Sequence, residues 1–377
     1  MRIGIDYTAA VQQRAGIGRY TRGLVRALAE VDRGNEYVLF AAVSGRQPAE
    51  MDWPQNFRMR KVPLSDHTVA ILWHRLRLPL PIEALIGVID IFHSPDFVLP
   101  PTRAGTILTV HDLSFLRHPE CADPNLRAYL NKAVPRSVHR ADVVLADSQN
   151  TKDDLVELLG VNPDKVEVVY PGVEGCFRPI EDEVLLEGVR RRYNLPSRFI
   201  LSLGTLEPRK NFARLIEAFA NLQSAICNLQ HLVIAGGEGW MYEPIYAKVK
   251  ELGLGDSVLF LGFVPDEDLP ALYNLADLFV YPSLYEGFGL PPLEAMACGV
   301  PVVASTRPSL PEVLGQAALL VDPLDVEGLA AAMERALEDE GLRETMVKRG
   351  LERAKGLTWR KAARRLLGIY ESMEVGK

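Results

Sequence analysis

Short apolar runs alternate with amphipathic stretches along the whole chain, and this alternation is the main structural signal. In the first half, the stretches at about 17–30 and 125–138 predict helices. Continuously apolar strands separated by helices are typical of a parallel sheet that is covered on both faces. The apolar runs that predict the strands of this sheet are 3–5, 37–43, 106–110 and 143–146.

The same pattern restarts near residue 199. A helix is predicted at 212–222, where Leu215, Phe219 and Leu222 recur at intervals of three and four residues. Two successive sets of strand–helix units of similar length predict an α/β protein with two Rossmann-like β/α/β domains side by side. The strands predicted for the second set are 199–204, 231–235, 258–261, 278–281 and 300–304.

Proline and glycine cluster between Tyr170 and Pro179, and this cluster predicts the hinge between the two domains. We therefore expect an N-terminal domain at 1–175 and a C-terminal domain at 176–357. The remaining segment, 358–377, is predicted to be a helix that returns to the N-terminal domain.

Composition narrows the class of protein. The chain has 377 residues, of which 48% are hydrophobic and 24% charged, and its net charge is −7. Such a chain can bury large cores, and its overall charge argues against a broadly basic nucleic-acid-binding surface. The four cysteines are far apart, so we expect buried free thiols in a reducing compartment. Because neither a targeting segment nor a membrane-spanning apolar run is recognisable, a cytoplasmic protein is expected.

The first candidate for chemistry is the glycine-rich segment Gly16-Ile17-Gly18. It opens a predicted helix, where backbone N–H groups are available to a phosphate or a sugar. An ordinary loop is the alternative. A dinucleotide site is disfavoured, because Thr21 stands at the third glycine position and about ten residues separate the loop from the first strand.

The second candidate is the turn that follows the restarted first strand. It contains Arg209 and Lys210, which suit a pyrophosphate as a planar fork and as a point charge respectively. The alternative is a solvated basic turn without a ligand.

The third candidate, residues 282–303, gives the most specific signal. A strand is followed by Glu286, by the turn Gly287-Phe288-Gly289-Leu290 and by a helix that begins with proline and contains Glu294. The backbone N–H groups at this helix start suit an anion. Glu294 lies on an apolar helix and needs a partner if it is buried, and a ribose diol would provide one.

The pattern Glu286-x7-Glu294 with its Gly-Phe-Gly core resembles the retaining glycosyltransferases of family 4, which have the GT-B fold. The resemblance covers nearly the whole chain, and Thr205 is a departure, because several family members carry arginine there. Asp6-Tyr7 with residues 16–20 is most similar to the mannosyltransferases of O-antigen and other polysaccharide assembly. The other matching segments are Gly16-Ile17-Gly18, Val110-His111-Asp112, Ala146-Asp147-Ser148, Val169 to Val173, and Arg209-Lys210.

The resemblance implies two domains facing each other across a cleft and transfer of a hexose from a nucleotide sugar with retention. GDP-mannose is the favoured donor, and a UDP-sugar is the alternative within the family. The implied catalytic residues are Arg209, Lys210, Glu286 and His111. Of these, Glu286 and His111 are implied to contact the transferred sugar. The implied donor-binding groups are Gly287, Phe288, Gly289, Leu290, Glu294, Arg209 and Lys210, and the loop Gly16, Ile17, Gly18 is implied for the acceptor.

No metal or other cofactor is expected. Asp266-Glu267-Asp268 has the literal spacing of a metal-binding Asp-x-Asp, but it precedes a predicted helix, and helix capping explains it better. Other functions stay open as alternatives. They are an epimerase, a phosphorylase, a dehydrogenase and a non-catalytic nucleotide-sugar-binding assembly subunit.

Charge is unevenly divided along the chain. Residues 1–140 contain 18 Lys and Arg against 13 Asp and Glu, whereas the rest contains 24 against 36. A positive acceptor side favours a saccharide on a lipid phosphate, or contact with the inner face of an anionic membrane. The mixed aromatic and basic stretch 73–81 is a candidate for that contact, and a packed loop is the alternative.

Overall fold

The computed structural model describes residues 1–13, 16–43, 52–65, 68, 71, 73, 78–225 and 231–375. The chain divides into two compact units. Unit 1 contains residues 1–117, 124–172 and 358–377, and unit 2 contains 118–123 and 173–357.

Unit 1 is built on a seven-stranded sheet whose strands all pair in parallel, in the order β3-β2-β1-β4-β5-β6-β7. Strands such as β2 and β6 are buried on both faces, which is why they appear as uninterrupted apolar runs in the sequence, whereas the central strand β4 also buries His93 and Ser94 and was not predicted. The strands are β1 (Arg2–Asp6), β2 (Glu36–Ala42), β3 (Phe57–Val62), β4 (Ile91–Ser94), β5 (Gly105–Val110), β6 (Val143–Ala146) and β7 (Val166–Val168).

The long helices of unit 1 are amphipathic and bury one face against this sheet. In α2, Tyr20, Leu24 and Leu28 recur every four residues and are all buried. The start of α6 is fixed by Ser148, whose side chain accepts a hydrogen bond from the backbone N–H of Thr151. The helices are α1 (Thr8–Gln12), α2 (Ile17–Val31), α3 (Glu83–Ile86), α4 (Ser114–Arg117), α5 (Pro124–Arg140), α6 (Gln149–Leu159) and α15 (Trp359–Val375).

Helix α15 is the last element of the chain and packs in unit 1 against α2. Its Leu366 and Tyr370 are fully buried, and each large apolar side chain buried in this way contributes about 1.5–3 kcal/mol. The Tyr370 hydroxyl lies 2.9 Å from Nδ1 of His93 on β4, whose Nε2 lies 3.0 Å from the Thr109 hydroxyl. This buried network ties α15 to the sheet.

Unit 2 contains a six-stranded parallel sheet in the order β10-β9-β8-β11-β12-β13. Apolar clusters cover its two faces, one around Phe279 and Leu293 and the other around Phe219 and Leu215. The strands are β8 (Ile200–Leu203), β9 (Leu232–Ala235), β10 (Val258–Gly262), β11 (Leu278–Tyr281), β12 (Val302–Ser305) and β13 (Leu319–Val321).

The helices of unit 2 connect these strands. The helix predicted at 212–222 is present and extends to Ala225. The helices are α7 (Glu183–Arg192), α8 (Phe212–Ala225), α9 (Glu243–Glu251), α10 (Leu269–Asn274), α11 (Leu290–Ala297), α12 (Leu310–Leu314), α13 (Val326–Glu338) and α14 (Glu340–Gly356).

Segment 118–123 lies with unit 2, although its place in the sequence put it in the N-terminal half. The indole N–H of Trp240 donates a 2.6 Å hydrogen bond to the carbonyl oxygen of Cys121, and the His118 and Tyr285 rings lie 5.8 Å apart. These contacts, formed between residues more than one hundred positions apart, are the physical reason for the difference.

The expectation that the cysteines are buried free thiols is only partly met. Cys121, Cys176 and Cys298 are free, and Cys121 and Cys298 are buried, but Cys176 is exposed. Cys227 lies outside the described residues.

Candidate active site

The polar residues of unit 2 converge because β8 and β11 are neighbours in a parallel sheet. The carboxyl ends of parallel strands lie at the same edge, where ligands of α/β proteins bind. After β8 the chain turns through Pro208–Lys210, and after β11 it continues to Glu286. The backbone N–H of Leu284 donates a 2.8 Å hydrogen bond to the carbonyl oxygen of Arg209, which joins the two connections.

Lys210, Arg209 and Glu286, which lie far apart in the sequence, are brought into direct contact. The Lys210 ammonium lies 2.6 Å from one carboxylate oxygen of Glu286, and the Arg209 guanidinium lies 3.0 Å from the other. Lys210 is 9% exposed and Glu286 is 7% exposed. Both carboxylate oxygens of Glu286 are therefore engaged by cations in this structure, and a contact with sugar hydroxyls remains a prediction.

Glu207 completes the charge balance of this cluster. It is buried and accepts a 2.7 Å hydrogen bond from Arg209, which also donates to the carbonyl oxygen of Tyr285 at 2.9 Å. Two cations thus face two carboxylates. Paired charges of this kind are tolerated in a buried place, whereas removal of one partner leaves an uncompensated charge that costs about 3–5 kcal/mol.

Burial and charge act on these groups in opposite directions. Burial favours the neutral acid of Glu286, but Lys210 and Arg209 outweigh it and lower the pKa of Glu286 to about 2. Burial lowers the pKa of Lys210, although the Glu286 charge raises it. Glu286 is therefore ionised throughout the physiological range.

The start of α11 is shaped by Gly289. Its φ of 97° favours glycine, and a Cβ there would lie 2.6 Å from the Leu310 side chain. The first backbone N–H groups of a helix have no intrahelical acceptor. Pro291 and Pro292 carry no N–H, so Gly289 and Leu290 supply the donors at this helix start. They follow Glu286, the partner of Lys210, by three and four residues, and N–H groups at a helix start suit an anion.

Glu294 lies in the interior of α11 and is only 2% exposed. The Tyr273 hydroxyl donates a 3.0 Å hydrogen bond to one of its carboxylate oxygens. A buried glutamate on this apolar helix needs a partner, and Tyr273 is a partner within the protein. The role of Glu294 toward a ribose stays a prediction.

In unit 1, the glycine loop opens α2 as the sequence predicted. A Cβ at Gly18 would overlap the Gln13 carbonyl oxygen, so close backbone packing requires glycine at this position. The loop lies near a second candidate, because the Tyr20 ring from the first turn of α2 packs 4.6 Å from the His111 ring. Tyr20 therefore links the helix that the glycine loop opens to His111 within unit 1.

His111 follows β5 and is held by two acceptors. Its Nδ1 lies 2.7 Å from a carboxylate oxygen of Asp147, and its Nε2 lies 2.9 Å from the Pro95 carbonyl oxygen. Two acceptors require two N–H groups, so the ring is an imidazolium. Burial opposes this charge, but Asp147 outweighs it and the pKa of His111 is raised to about 9. Because both nitrogens are engaged, a hydrogen bond from His111 to a sugar would need to replace one of these partners.

Comparisons with known proteins agree with this architecture. Residues 14–174 match the model of Glycosyltransferase Family 4, and residues 190–353 match that of Glycosyl transferases group 1. The chain is 34% identical over 370 residues to the O-antigen chain mannosyltransferase B of Escherichia coli, which covers 94% of this chain and 96% of that protein. The chain belongs to these glycosyltransferases.

Other relatives of this glycosyltransferase are longer. The serotype-specific mannosyltransferase WbdA of Escherichia coli is 37% identical over 264 residues, which are 68% of this chain and 32% of that protein. Among solved structures, sucrose-phosphate synthase from Thermosynechococcus elongatus has a TM-score of 0.78 at 23% identity, with both chains covered completely. WaaG, a glycosyltransferase involved in lipopolysaccharide biosynthesis, has a TM-score of 0.73 at 18% identity and covers 98% of this chain and 99% of its own. The family and the two Rossmann-like domains of the GT-B fold are thereby confirmed.

In the segment Asp266-Glu267-Asp268, the role of Asp268 differs from the helix capping that the sequence predicted. Asp268 stands at the N-cap position of α10, but its carboxylate does not cap the helix. Instead it accepts hydrogen bonds from Arg192 at 2.6 Å and from the Tyr193 hydroxyl at 2.6 Å. Within the described part of the chain, no three His, Cys, Asp or Glu side chains are grouped as metal ligands.

Stretch 73–81, a candidate membrane contact with a packed loop as the alternative, falls partly outside the described residues, since 74–77 are not among them. Trp73 itself is buried, and its indole N–H donates to the carbonyl oxygen of Leu80 at 2.9 Å. No described helix has the length and the apolar character needed to cross a membrane.

Glu207, Tyr281 and Asp147 have no role predicted from the sequence, although each contacts a candidate residue. The Lys210 ammonium donates a 2.7 Å hydrogen bond to the Tyr281 hydroxyl. Two of the three could have been found by position, because Tyr281 ends β11 and Asp147 follows β6, both at the carboxyl edge of a sheet.

Proposed function

We propose that the glycosyltransferase moves a mannose residue from GDP-mannose to a hydroxyl of a saccharide or lipid-linked saccharide during polysaccharide biosynthesis, with retention at the anomeric carbon. The observation that carries this proposal is the similarity over 94% of the chain to an O-antigen chain mannosyltransferase. The cluster of Lys210, Arg209 and Glu286 beside the start of α11 supports it, because this edge suits a diphosphate.

The reaction breaks the bond between the anomeric carbon and the diphosphate oxygen and forms a bond to the acceptor oxygen. The proton of the acceptor hydroxyl passes to the leaving diphosphate. Negative charge therefore grows on the diphosphate in the transition state, and groups placed to receive that charge accelerate the step. Lys210, Arg209 and the N–H groups of Gly287, Phe288, Gly289 and Leu290 are proposed for this role.

The two carboxylates have separate proposed roles. Glu286 holds Lys210 and Arg209 in place and meets the transferred sugar, and Glu294 binds the ribose of the nucleotide. Preorganised N–H donors such as Lys210 and Arg209, which Glu286 holds, typically contribute about 10²–10³-fold to the rate each. We propose no metal ion in the reaction, since Lys210 and Arg209 supply positive charge for the leaving diphosphate.

In unit 1, we propose that Gly16, Ile17 and Gly18 bind the acceptor and that His111 acts on the transferred sugar as a fixed cation. The pair of His111 and Asp147 keeps the imidazolium in one orientation. A fixed positive charge of this kind favours an electron-rich sugar oxygen.

A transfer assay with GDP-mannose and a mannose-terminated saccharide tests the proposal. Lys210→Ala and Glu286→Ala are each expected to abolish transfer while the far-ultraviolet circular dichroism is retained. Lys355→Ala and Glu344→Ala, at exposed positions of α14, are the matched controls and should leave turnover unchanged. Near-normal turnover in either site variant would refute the assignment of the site. If transfer collapsed on chelation and returned with manganese, the metal-independent reaction would be wrong.

The identity of the donor nucleotide is tested separately by thermal shifts with GDP, UDP and ADP. A ligand that binds the native state at one hundred times its Kd stabilises it by about 2.7 kcal/mol. GDP is expected to give the largest shift. A larger shift with UDP would support the alternative of a UDP-sugar donor, which the family also allows.

We propose further that the enzyme works in the cytoplasm at the inner face of the membrane, through α5. The sequence of α5 contains four Lys and Arg and no Asp or Glu, and Lys132 and Arg136 lie one turn apart on its exposed side. Each such cation near an anionic membrane contributes about 1 kcal/mol. Co-sedimentation with phosphatidylglycerol vesicles should fall in the variant with Lys132→Glu and Arg136→Glu but not in Lys355→Glu. Equal sedimentation of all three proteins would refute this surface.

A further inference from the structure

Tyr281 contacts the charged cluster through its hydroxyl, and its place in the fold makes that hydroxyl immobile. It is the last residue of β11, it pairs with Ala304 of β12, and it is 2% exposed. Its ring stacks on the Phe279 ring, with centroids 6.0 Å apart and an angle of 22° between the planes. A hydroxyl held by a central strand and a packed ring is a fixed point at the carboxyl edge of the sheet.

Lys210, by contrast, is placed by a short turn and has a long side chain. Ordering such a side chain costs about 1.5–2 kcal/mol of rotamer entropy. Its ammonium lies 2.6 Å from Glu286, 2.7 Å from the Tyr281 hydroxyl and 5.0 Å from the centre of the Tyr281 ring. An ammonium has three N–H groups, and these two oxygens take two of them.

Tyr281 also supports the charge on Lys210. Burial lowers the pKa of Lys210, and an oxygen that accepts from the ammonium favours the charged form. Burial and the nearby Glu286 raise the pKa of Tyr281 well above its ordinary value, so the phenol stays neutral and acts as an acceptor toward the lysine.

We propose that Tyr281 is a positioning residue that fixes the Lys210 ammonium and directs its third N–H to the diphosphate of the donor. The proposal rests on the proposed function only in the identity of that diphosphate. Tyr281→Phe is the suitable variant, because it keeps the packed ring and removes only the oxygen. Tyr193→Phe is the matched control, because its hydroxyl donates to a carboxylate of unit 2 outside the cluster, at 2.6 Å from Asp268.

The first measurement needs no ligand. In protein labelled with carbon-13 at lysine, the Lys210 resonance is assigned by its absence from Lys210→Ala. The pKa of Lys210 is expected to fall further below its ordinary value in Tyr281→Phe and to be unchanged in Tyr193→Phe. An unchanged Lys210 pKa in Tyr281→Phe would overturn the proposal, because a merely structural tyrosine would leave that titration where it was.

The second measurement uses GDP as the probe, by calorimetry from pH 6 to pH 10. Tyr281→Phe is expected to weaken GDP binding about tenfold, as for one lost hydrogen bond to a charged group, and to move the alkaline loss of affinity to lower pH. In the Lys210→Ala background the same change should have no further effect. If the losses of GDP affinity in the two single variants added up in the double variant, Tyr281 would act independently of Lys210. If the unaltered enzyme bound no nucleoside diphosphate at all, the proposed function would fail. The lysine titration would still test whether Tyr281 holds the Lys210 ammonium.

Discussion

Replacement of Glu286 by glutamine removes one carboxylate from a buried cluster of two cations and two anions. The pKa of Glu286 is about 2 in the folded protein, against 4.5 for the free side chain. Each unit of such a shift corresponds to 1.36 kcal/mol, so the ionised Glu286 stabilises the fold by about 3 kcal/mol at pH 7. Because the folded pKa is depressed, this contribution is complete above pH 4.5 and is lost as the pH falls toward 2.

Urea unfolding of the unaltered enzyme and of Glu286→Gln at pH 7 and at pH 3 measures this contribution. At pH 7 the variant is expected to be less stable by about 3 kcal/mol, and at pH 3 by about half as much. Glu344→Gln, at an exposed position of α14, is the control and should differ little at either pH. A difference between enzyme and variant that is the same at pH 7 and pH 3 would refute the depressed pKa and the paired state of Glu286.

Three further outcomes are expected. Gly289→Ala should lower the melting temperature and abolish GDP binding, because the φ of 97° at this position disfavours a side chain. As a control, Gly188→Ala, in the middle of α7 where a Cβ meets no other atom, should raise the stability by about 0.5–1 kcal/mol. The His111 imidazole should titrate near pH 9 by nuclear magnetic resonance, and well below pH 9 in Asp147→Asn. Because the pKa of His111 is raised in the folded protein, the pair of His111 and Asp147 stabilises the fold fully below pH 6.5. This stabilisation is lost as the pH rises through 9. Tyr370→Phe should destabilise the enzyme by about 1–3 kcal/mol in thermal unfolding, because its buried histidine partner loses a hydrogen bond.

Much of the fold was predictable because most strands away from the sheet edges are continuously apolar, although β4, which contains His93 and Ser94, was not predicted. The runs at 143–146 and 278–281 coincide with β6 and β11, and the helix predicted at 17–30 is α2. Strand β3 gave no such signal, since Arg58, Arg60 and Lys61 interrupt it. It is an edge strand, and charged side chains are common at sheet edges because they discourage pairing with other chains.

The candidate site was predictable in its residues but only partly in its contacts. Arg209, Lys210 and Glu286 stand in short motifs that indicate an anion site. Their pairing arises because β8 and β11 are neighbours in the sheet. These two strands are not consecutive along the chain, so their adjacency could not be predicted from the order of the strands in the sequence. The same reason explains why Tyr281 was missed, because its contact with Lys210 joins residues 71 positions apart.

Helix α15 has a consequence for the order in which the protein is made. Unit 1 begins at the first residue, but α15 belongs to it and leaves the ribosome after every residue of unit 2. Until then, the face of α2 around Gly23, against which Trp359 packs, is uncovered, and the His93 imidazole lacks its tyrosine partner. Unit 2 is thus completely synthesised first. A nascent chain arrested before residue 359 would expose an apolar surface on its N-terminal half, a surface of the kind that chaperones protect.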